Sequence, residues 1–257
     1  MSRLRLHAVL AAALALAACA MPVTADGAGP AATDGAAPYT AVLVAGDDSL
    51  PVFDNAVDGV TALLRRTGAA ADVTRLSATP GAAARGAREA SLDGVLRAVG
   101  ALRPAPGQAC LVYATSHGVS GRGLYLAAAE EVLTPAMLDR ALDAGCGAAP
   151  TVVVVSSCFS GLFSQGAMTR PNRVILTAAR ADRTSFGCGA GRTYTVYDRC
   201  LLEHLEERGG WPQVHAALRR CVAAEERRER VDASLPQAWF GGRAARLRAL
   251  GMEPTAP

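Results

Sequence analysis

The sequence predicts an α/β fold in which a mostly parallel sheet is covered by helices on both faces. Short apolar runs typical of buried strands alternate with segments that have the apolar spacing of amphipathic helices. The strongest strand signal is Thr151–Val155, where five consecutive β-branched residues indicate burial on both faces. The chain has 257 residues, 51% of them hydrophobic, which is enough apolar material for one well-buried core.

The remaining elements follow from the same two periodicities. Further strands are predicted at Thr40–Gly46, Asp72–Leu76, Ala109–Thr115 and Arg173–Thr177, with a hairpin at Gly121–Ala128. Helices are predicted at Phe53–Arg66, Ala87–Leu102, Pro135–Ala144, Tyr194–Arg208 and Trp211–Arg230. Thr134 and Pro135 form a typical helix start, with the threonine as N-cap and the proline at the first helical position.

The amino terminus has the pattern of a targeting signal. Arg3 and Arg5 precede an apolar run from His7 to Leu16, which is too short to cross a bilayer as a helix. The run ends in Leu16-Ala17-Ala18-Cys19, which resembles a bacterial lipobox. We therefore expect residues 1–18 to be a lipoprotein signal peptide; an ordinary secretory signal is the alternative.

Cys19 is then the lipidated first residue of the mature chain. Residues 19–38, rich in Ala, Gly, Pro and Thr, predict a flexible tether, and residues 39–257 the folded domain. Ala20, rather than Asp, follows Cys19, which favours the outer membrane, with the domain facing the periplasm. An anchored protein of this kind has the membrane as one partner.

Six further cysteines would then meet an oxidising compartment, where disulfides are permitted. Cys146, Cys188, Cys200 and Cys221 are candidates, and four cysteines allow three complete pairings. Cys110 lies within an apolar run and is expected to be a buried free thiol.

Charge argues against a nucleic-acid partner. The formal net charge of the chain is +3. Its arginines are interspersed with acidic residues along most of the sequence, which leaves no basic stripe. No lysine occurs in the sequence. No further histidine or carboxylate is spaced to complete a zinc site with His117 and Cys158, so a metal at this pair is not expected.

Chemistry-bearing residues follow three of the predicted strands. Asp47 and Asp48 come after the first strand, His117 after the third, and Cys158 after the run Thr151–Val155. The carboxyl ends of parallel strands meet at one edge of a sheet, where sites in such folds form. We therefore expect an imidazole and a thiol at the same edge.

This pair is suited to nucleophilic catalysis. A helix beginning after Cys158 would favour the thiolate, which is the nucleophile. His117 could promote thiolate formation or protonate a leaving amine. The backbone N–H groups of Gly118 and Cys158 could bind an oxyanion.

Two motifs, Ala114-Thr115-Ser116-His117-Gly118 and Ser156-Ser157-Cys158-Phe159-Ser160-Gly161, resemble those of the legumain family, in the clan that also holds caspases and gingipains. Val42–Gly46 and Leu133-Thr134-Pro135 match as well. The resemblance covers about Tyr39 to Phe186. It implies a caspase-like three-layer α/β/α sandwich, a Cys/His dyad, and hydrolysis of peptide bonds in peptide or protein substrates without a cofactor.

The sequence departs from the legumain pattern around the substrate pocket. Ser156 stands where legumains have an acidic residue, and Asp54, with Asn55 beside it, replaces a pocket arginine. Asp54 would favour a basic residue before the scissile bond. Asn55 either orients His117 or lies on a helix surface. Ser185 begins a Gly-rich loop, Ser185–Gly191, that either borders the cleft or is a plain connector, closed by a disulfide from Cys188.

Three alternatives to an endopeptidase remain open at this point. The same dyad could serve a transpeptidase, in which an amine resolves the acyl-enzyme. The chain could also be a non-catalytic envelope module for binding or scaffolding, although the intact His/Cys pair argues against this. A serine hydrolase using Ser157 or Ser160 is disfavoured because Gly-x-Ser-x-Gly is absent around both.

Overall fold

The computed structural model describes residues 39–189, 191–206 and 209–250. The predicted signal peptide, the tether and Cys19 lie outside these residues, so those expectations remain predictions. Within the described residues, no helix is both long enough and apolar enough to cross a membrane.

A mostly parallel sheet forms the centre of the described part of the chain. Its seven strands are β1 (Tyr39–Ala45), β2 (Ala70–Ser77), β3 (Arg88–Glu89), β4 (Ala109–Thr115), β8 (Thr151–Ser156), β9 (Arg173–Thr177) and β10 (Gln237–Phe240). Their spatial order is β10-β9-β8-β4-β1-β2-β3. All neighbours are parallel except β10, which pairs antiparallel with β9 at the edge.

Five α-helices and a small second sheet connect these strands. The helices are α1 (Val52–Thr67), α2 (Leu92–Gly100), α3 (Pro135–Gly145), α4 (Val196–His204) and α5 (Trp211–Glu229). The small antiparallel sheet follows β4 and consists of β5 (Gly118–Val119), β6 (Gly123–Leu126) and β7 (Glu131–Leu133). Of the predicted hairpin Gly121–Ala128 only β6 is found as an arm, because its two partners β5 and β7 lie outside those bounds.

Alternate residues of each strand point to opposite faces and build two separate cores. In β1, Leu43 packs with α1, α4 and α5 on one face, whereas Val42 and Val44 pack with α2 and α3 on the other. This arrangement is the three-layer α/β/α sandwich that the sequence predicts, with apolar burial on both faces as its main stabilisation.

Local signals place several element boundaries where expected. The Thr134 hydroxyl accepts a hydrogen bond from the Met137 N–H, and Pro135 opens α3. A predicted helix at Ala87–Leu102 is shorter, because residues 88–89 pair as strand β3 before Ser91 caps α2. The edge strand β10 had no counterpart in the sequence prediction.

The helix expected to begin after Cys158 is replaced by a short 3₁₀ helix, Ser160–Ser164. Five residues of 3₁₀ helix carry a much smaller aligned dipole than an α-helix of several turns. The predicted α-helix N-terminus after Cys158 is therefore wrong, and a short 3₁₀ helix takes its place.

The disulfides correct one expectation and select among others. Cys110, expected to be free, is bonded to Cys146, which follows α3. Cys200 of α4 is bonded to Cys221 of α5. Cys188 is free, so no disulfide closes the loop that follows Ser185. Each bond ties elements that are distant in sequence and reduces the entropy of the unfolded chain.

Candidate active site

The site is built on the pairing of the two central strands β4 and β8. Thr115 is in register with Ser156 at the carboxyl ends of these strands, and the Ser116 N–H donates to the Ser156 carbonyl over 3.1 Å. His117 and Cys158 are each two residues beyond those paired ends. The structure therefore brings together the histidine and the cysteine that the sequence singled out.

Gly118 allows the chain after β4 to pass directly against Cys158. A Cβ atom at position 118 would lie 1.9 Å from the Cys158 carbonyl oxygen, closer than any side chain can approach. Only glycine fits this contact between the two backbones. The contact holds the segment that carries His117 against the segment that carries the thiol.

The backbone turns sharply after Cys158. Phe159 has a φ of 56°, in the left-handed region that residues with a Cβ rarely adopt, and its N–H donates to the Arg183 carbonyl over 2.7 Å. The turn leaves the Cys158 thiol half-buried. The Ser185 N–H donates to its Sγ over 3.3 Å, and the thiol donates to the Ser185 carbonyl over 3.6 Å.

These contacts define how the thiol is held. Ser185, which the sequence predicted to line the substrate pocket, contacts the sulfur through its backbone rather than through its hydroxyl.

The imidazole of His117 is positioned by α1 and by the loop that precedes it. Its ring lies edge-on to Phe53, with 5.2 Å between ring centroids. Its Nε2 lies 3.5 Å from the Ser49 hydroxyl. Ser49 donates both its hydroxyl and its N–H, the latter over 2.8 Å, to the carboxylate of Asp47, which is only 5% exposed.

These contacts form a chain from Asp47 through Ser49 to His117. The sequence placed Asp47 at the correct edge, but nothing in it distinguished Ser49. The position of Ser49, two residues after an aspartate that ends a strand, is the usual geometry of an Asx turn and is the only signal available.

Known proteins share this architecture. Residues 92–207, which include His117 and Cys158, match the model of the Peptidase C13 family. The chain is similar in structure to caspase-1 from Spodoptera frugiperda, with a TM-score of 0.59 and 14% identity over 92% of this chain and 98% of that one. The chain is also similar to a structure of pro-sf-caspase-1, with a TM-score of 0.56 and 12% identity over 81% of this chain and 93% of that one. No curated protein matches the chain in sequence.

The match over residues 92–207 and the caspase-like fold support a legumain/caspase-like cysteine peptidase family. The family match confirms the resemblance that the two sequence motifs carry. The structural similarity confirms the caspase-like fold, and at 14% and 12% identity it supports the fold alone.

A buried carboxylate lies under the peptidase-like site. Asp198 of α4 accepts hydrogen bonds from the Tyr113 hydroxyl at 2.7 Å and from the Thr115 and Thr195 hydroxyls at 2.8 Å each. Ser156 also hydrogen-bonds this carboxylate. Burial raises the pKa of Asp198, and the four hydroxyl donors oppose that rise by stabilising the charged form.

This cluster joins both site strands to the segment that follows the Ser185 loop. Tyr113 and Thr115 belong to β4, Ser156 ends β8, and Thr195 caps α4. Sequence reasoning missed Asp198, because an aspartate three residues after a threonine is the ordinary pattern of a helix start. Nothing in that pattern indicates complete burial.

A second free thiol lies close to the nucleophile candidate. Burial is the main cause that raises the pKa of Cys188 from its ordinary value of 9.0 to about 11, and the nearby charge of Cys158 adds to the rise. The two free cysteines of the described residues therefore differ: Cys158 accepts a backbone N–H, whereas Cys188 is held as a neutral thiol at physiological pH.

The structure separates the other residues predicted to line the substrate pocket. The Asp54 carboxylate accepts from the Thr79 hydroxyl at 2.5 Å and lies 3.8 Å from Arg85, so it faces the loop after β2. Asn55 donates its amide to the Thr193 carbonyl at 3.0 Å, beside the segment between β9 and α4.

Ser156 does not line an open pocket. It is 3% exposed and its hydroxyl is committed to Asp198. The contacts of Asp54 likewise give no support to a basic preference before the scissile bond. Two of the residues predicted to line the substrate pocket, Asn55 and Ser185, do lie at the segment between β9 and α4.

One group of potential metal ligands occurs among the described residues, at Cys200, Glu203 and Cys221. The two sulfurs are joined in a disulfide and cannot act as thiolates. This group therefore fits a structural role rather than a metal centre.

The Asp198 cluster predicts a specific loss of stability. Replacing Asp198 with alanine would leave its buried hydroxyl donors without their acceptor, and we expect about 2–4 kcal/mol less free energy of unfolding, measured by urea denaturation. The exposed Asp182, which pairs with Arg180, provides the control: Asp182→Ala should change the free energy of unfolding by less than about 0.5 kcal/mol. Equal effects of the two substitutions would contradict the anchoring role of the cluster.

Proposed function

We propose that this chain is an exported cysteine endopeptidase that hydrolyses peptide bonds through Cys158 and His117. The observation that carries the proposal is the in-register pairing of β4 and β8, with Gly118 packed directly on Cys158. That pairing supports the proposal, because Cys158 and His117 follow adjacent strand ends at one edge of the sheet. The match to the Peptidase C13 family supports the same chemistry.

In the first step, the Cys158 thiolate attacks the carbonyl carbon of the scissile bond. The C–S bond forms and the carbonyl π electrons move onto oxygen. The N–H groups of Gly118 and Cys158 are the proposed donors to this oxyanion, because their two backbones lie in contact beside the sulfur. Protonated His117 gives its proton to the amide nitrogen, the C–N bond breaks, and a thioester and a free amine result.

In the second step, water attacks the thioester while His117 accepts one of its protons. The C–S bond breaks, the carboxylic acid is released, and the sulfur and imidazole return to their starting states. No redox partner or metal is needed, because each step moves only a proton and an electron pair.

The Asp47–Ser49 pair serves to orient His117. Ser49 gives its hydroxyl proton to Asp47, so its oxygen can accept a hydrogen bond from Nε2–H of the imidazole. That bond selects the tautomer protonated at Nε2 and leaves Nδ1 to exchange a proton with sulfur and substrate. Ser49 acts through His117 and touches no substrate, so it is a positioning residue.

Export and lipid anchoring at Cys19 form part of the proposal. Two disulfides in the folded domain support a passage through an oxidising compartment. The lipobox-like Leu16–Cys19 supports a lipid anchor, most simply in the outer membrane with the domain facing the periplasm. The substrates would then be peptides or proteins of the cell envelope.

The dyad predicts selective alkylation of one thiol. At pH 6, iodoacetamide should label Cys158 at least about tenfold faster than Cys188, whose raised pKa keeps it protonated. Peptide mapping by mass spectrometry measures both rates in one sample. The advantage should disappear in His117→Ala, while His204→Ala should leave it unchanged. Equal labelling of both thiols in the unaltered chain would instead favour a non-catalytic binding module.

The positioning role of Ser49 predicts a kinetic signature. Ser49→Ala should lower kcat roughly tenfold or more with little change in KM, because orientation of the proton carrier is lost and substrate contacts are not. The acidic limb of the pH–rate profile should shift as well. Ser49→Thr, which keeps the hydroxyl, should recover most of the rate. A change in KM alone would argue against this role.

Anchoring predicts a membrane location that depends on one sulfur. Expressed in a Gram-negative host fed radiolabelled palmitate, the full chain should incorporate label and sediment with outer membranes. Cys19→Ala should lose both properties while the domain stays folded. Label retained in Cys19→Ala would show that the anchor, if any, lies elsewhere.

A further inference from the structure

A groove of about 440 Å³ lies at the carboxyl edge of the sheet, on the β2 and β3 side of the proposed dyad. One wall is the loop between β2 and β3, and the facing wall is the turn between β6 and β7. About half of its lining surface is apolar and comes from small residues. These are Ala78, Pro80, Ala82, Ala83, Ala87, Ala127 and Ala128.

The polar groups at the base of the groove are used internally. The Thr79 hydroxyl donates to Asp54, and the Thr79 N–H donates to the Ser77 hydroxyl oxygen over 3.0 Å. The facing wall is fixed to the end of β1, because the Ala127 N–H donates to the Gly46 carbonyl over 2.8 Å. The groove is therefore a built feature, whose lining combines these methyl groups with the exposed side chains of Asp48, Arg88 and Glu89.

The groove adjoins the segment that holds His117. Asp48, which lines it, lies between Asp47 and Ser49, the pair that holds His117. From β8 to β2 the sheet order passes through β4 and β1, which is three strand spacings, or roughly 14 Å at about 4.8 Å each. An extended peptide covers that distance in about four residues.

The direction of the substrate follows from the proton transfer. His117 protonates the amine that leaves, so the leaving segment must lie on the His117 side of Cys158. The loop of Ser185 lies on the other side, after β9, and borders the acyl segment. Continuing from His117 along the sheet edge leads over β1 to the groove.

We propose that this groove binds the leaving segment of the substrate, taking a bulky apolar side chain about three or four residues after the scissile bond. The inference rests on the proposed peptidase function and adds a specificity determinant to it. Small lining residues leave room for a large partner, and burial of an aromatic side chain against their methyl groups supplies the affinity.

The test begins by mapping, with mass spectrometry, one site at which the full chain cleaves denatured casein. Two kinds of substrate then share the residues before that site. One ends in a fluorogenic amide and has no leaving segment; the other is an internally quenched peptide that continues for five residues, with Phe or Gly at the third and fourth positions. We expect kcat/KM to be about tenfold higher for Phe than for Gly.

A matched pair of variants on one 3₁₀ helix locates the effect. Ala83 lines the groove and Ala84, equally exposed, does not. Ala83→Trp should abolish the preference for Phe and leave hydrolysis of the fluorogenic amide unchanged, whereas Ala84→Trp should alter neither.

The outcomes separate the two proposals. Cleavage of the amide and peptides with no difference between Phe and Gly, or an unchanged preference in Ala83→Trp, would overturn the groove assignment and leave the peptidase intact. Failure to cleave casein or any of these substrates would overturn the peptidase proposal itself, and this inference with it.

Discussion

The parallel pairing of β4 with β8 is the constraint on which the site depends. It aligns Thr115 with Ser156, and from that alignment His117 and Cys158 emerge at equivalent positions beyond the sheet edge. Gly118 then brings the two segments into contact. Because it has no side chain, the backbone after His117 packs directly on the Cys158 carbonyl. A slip of one residue in this register would turn one of the two side chains to the opposite face.

Several features of the structure make this register costly to change. Both strands are buried on both faces, so a shift would exchange the contents of two separate cores. Under the strand ends, the Asp198 carboxylate accepts hydroxyls from β4 and from the N-cap of α4, and it also binds Ser156. A buried carboxyl group satisfied by donors from three elements holds those elements in one relative position, since losing any donor leaves a buried polar group less satisfied.

Sequence periodicity sufficed for the main architecture because buried strands and amphipathic helices have distinct patterns. Thr151–Val155 and the cap at Thr134 are local signals, and both elements lie where they were expected. The two short strands β3 and β10 were missed. Each forms a strand because it pairs with a neighbouring strand in the folded structure. Segments of two to four residues, such as Gln237–Phe240, are too short to show the alternation of apolar and polar residues that predicts a strand.

The outline of the site was predictable and its details were not, because only the strands have a periodic sequence pattern. That His117 and Cys158 converge follows from strand topology alone, whereas the contacts of Ser49, Asp198 and Ser185 depend on loops with no periodic signal. Cys110 was misjudged because its apolar surroundings are equally typical of a free thiol. Its disulfide exists because Cys146, just beyond α3, packs against β4, which only the tertiary structure reveals.

The most direct test of the central claim is a crystal structure of the chain with a peptidyl aldehyde based on a cleaved sequence. The account predicts a covalent thiohemiacetal on Cys158 Sγ, with its oxygen within hydrogen-bond distance of the Gly118 N–H and the His117 ring on the leaving-group side. An aldehyde bound to Cys188 instead, or a thiohemiacetal with His117 out of reach of its carbon and oxygen, would contradict it.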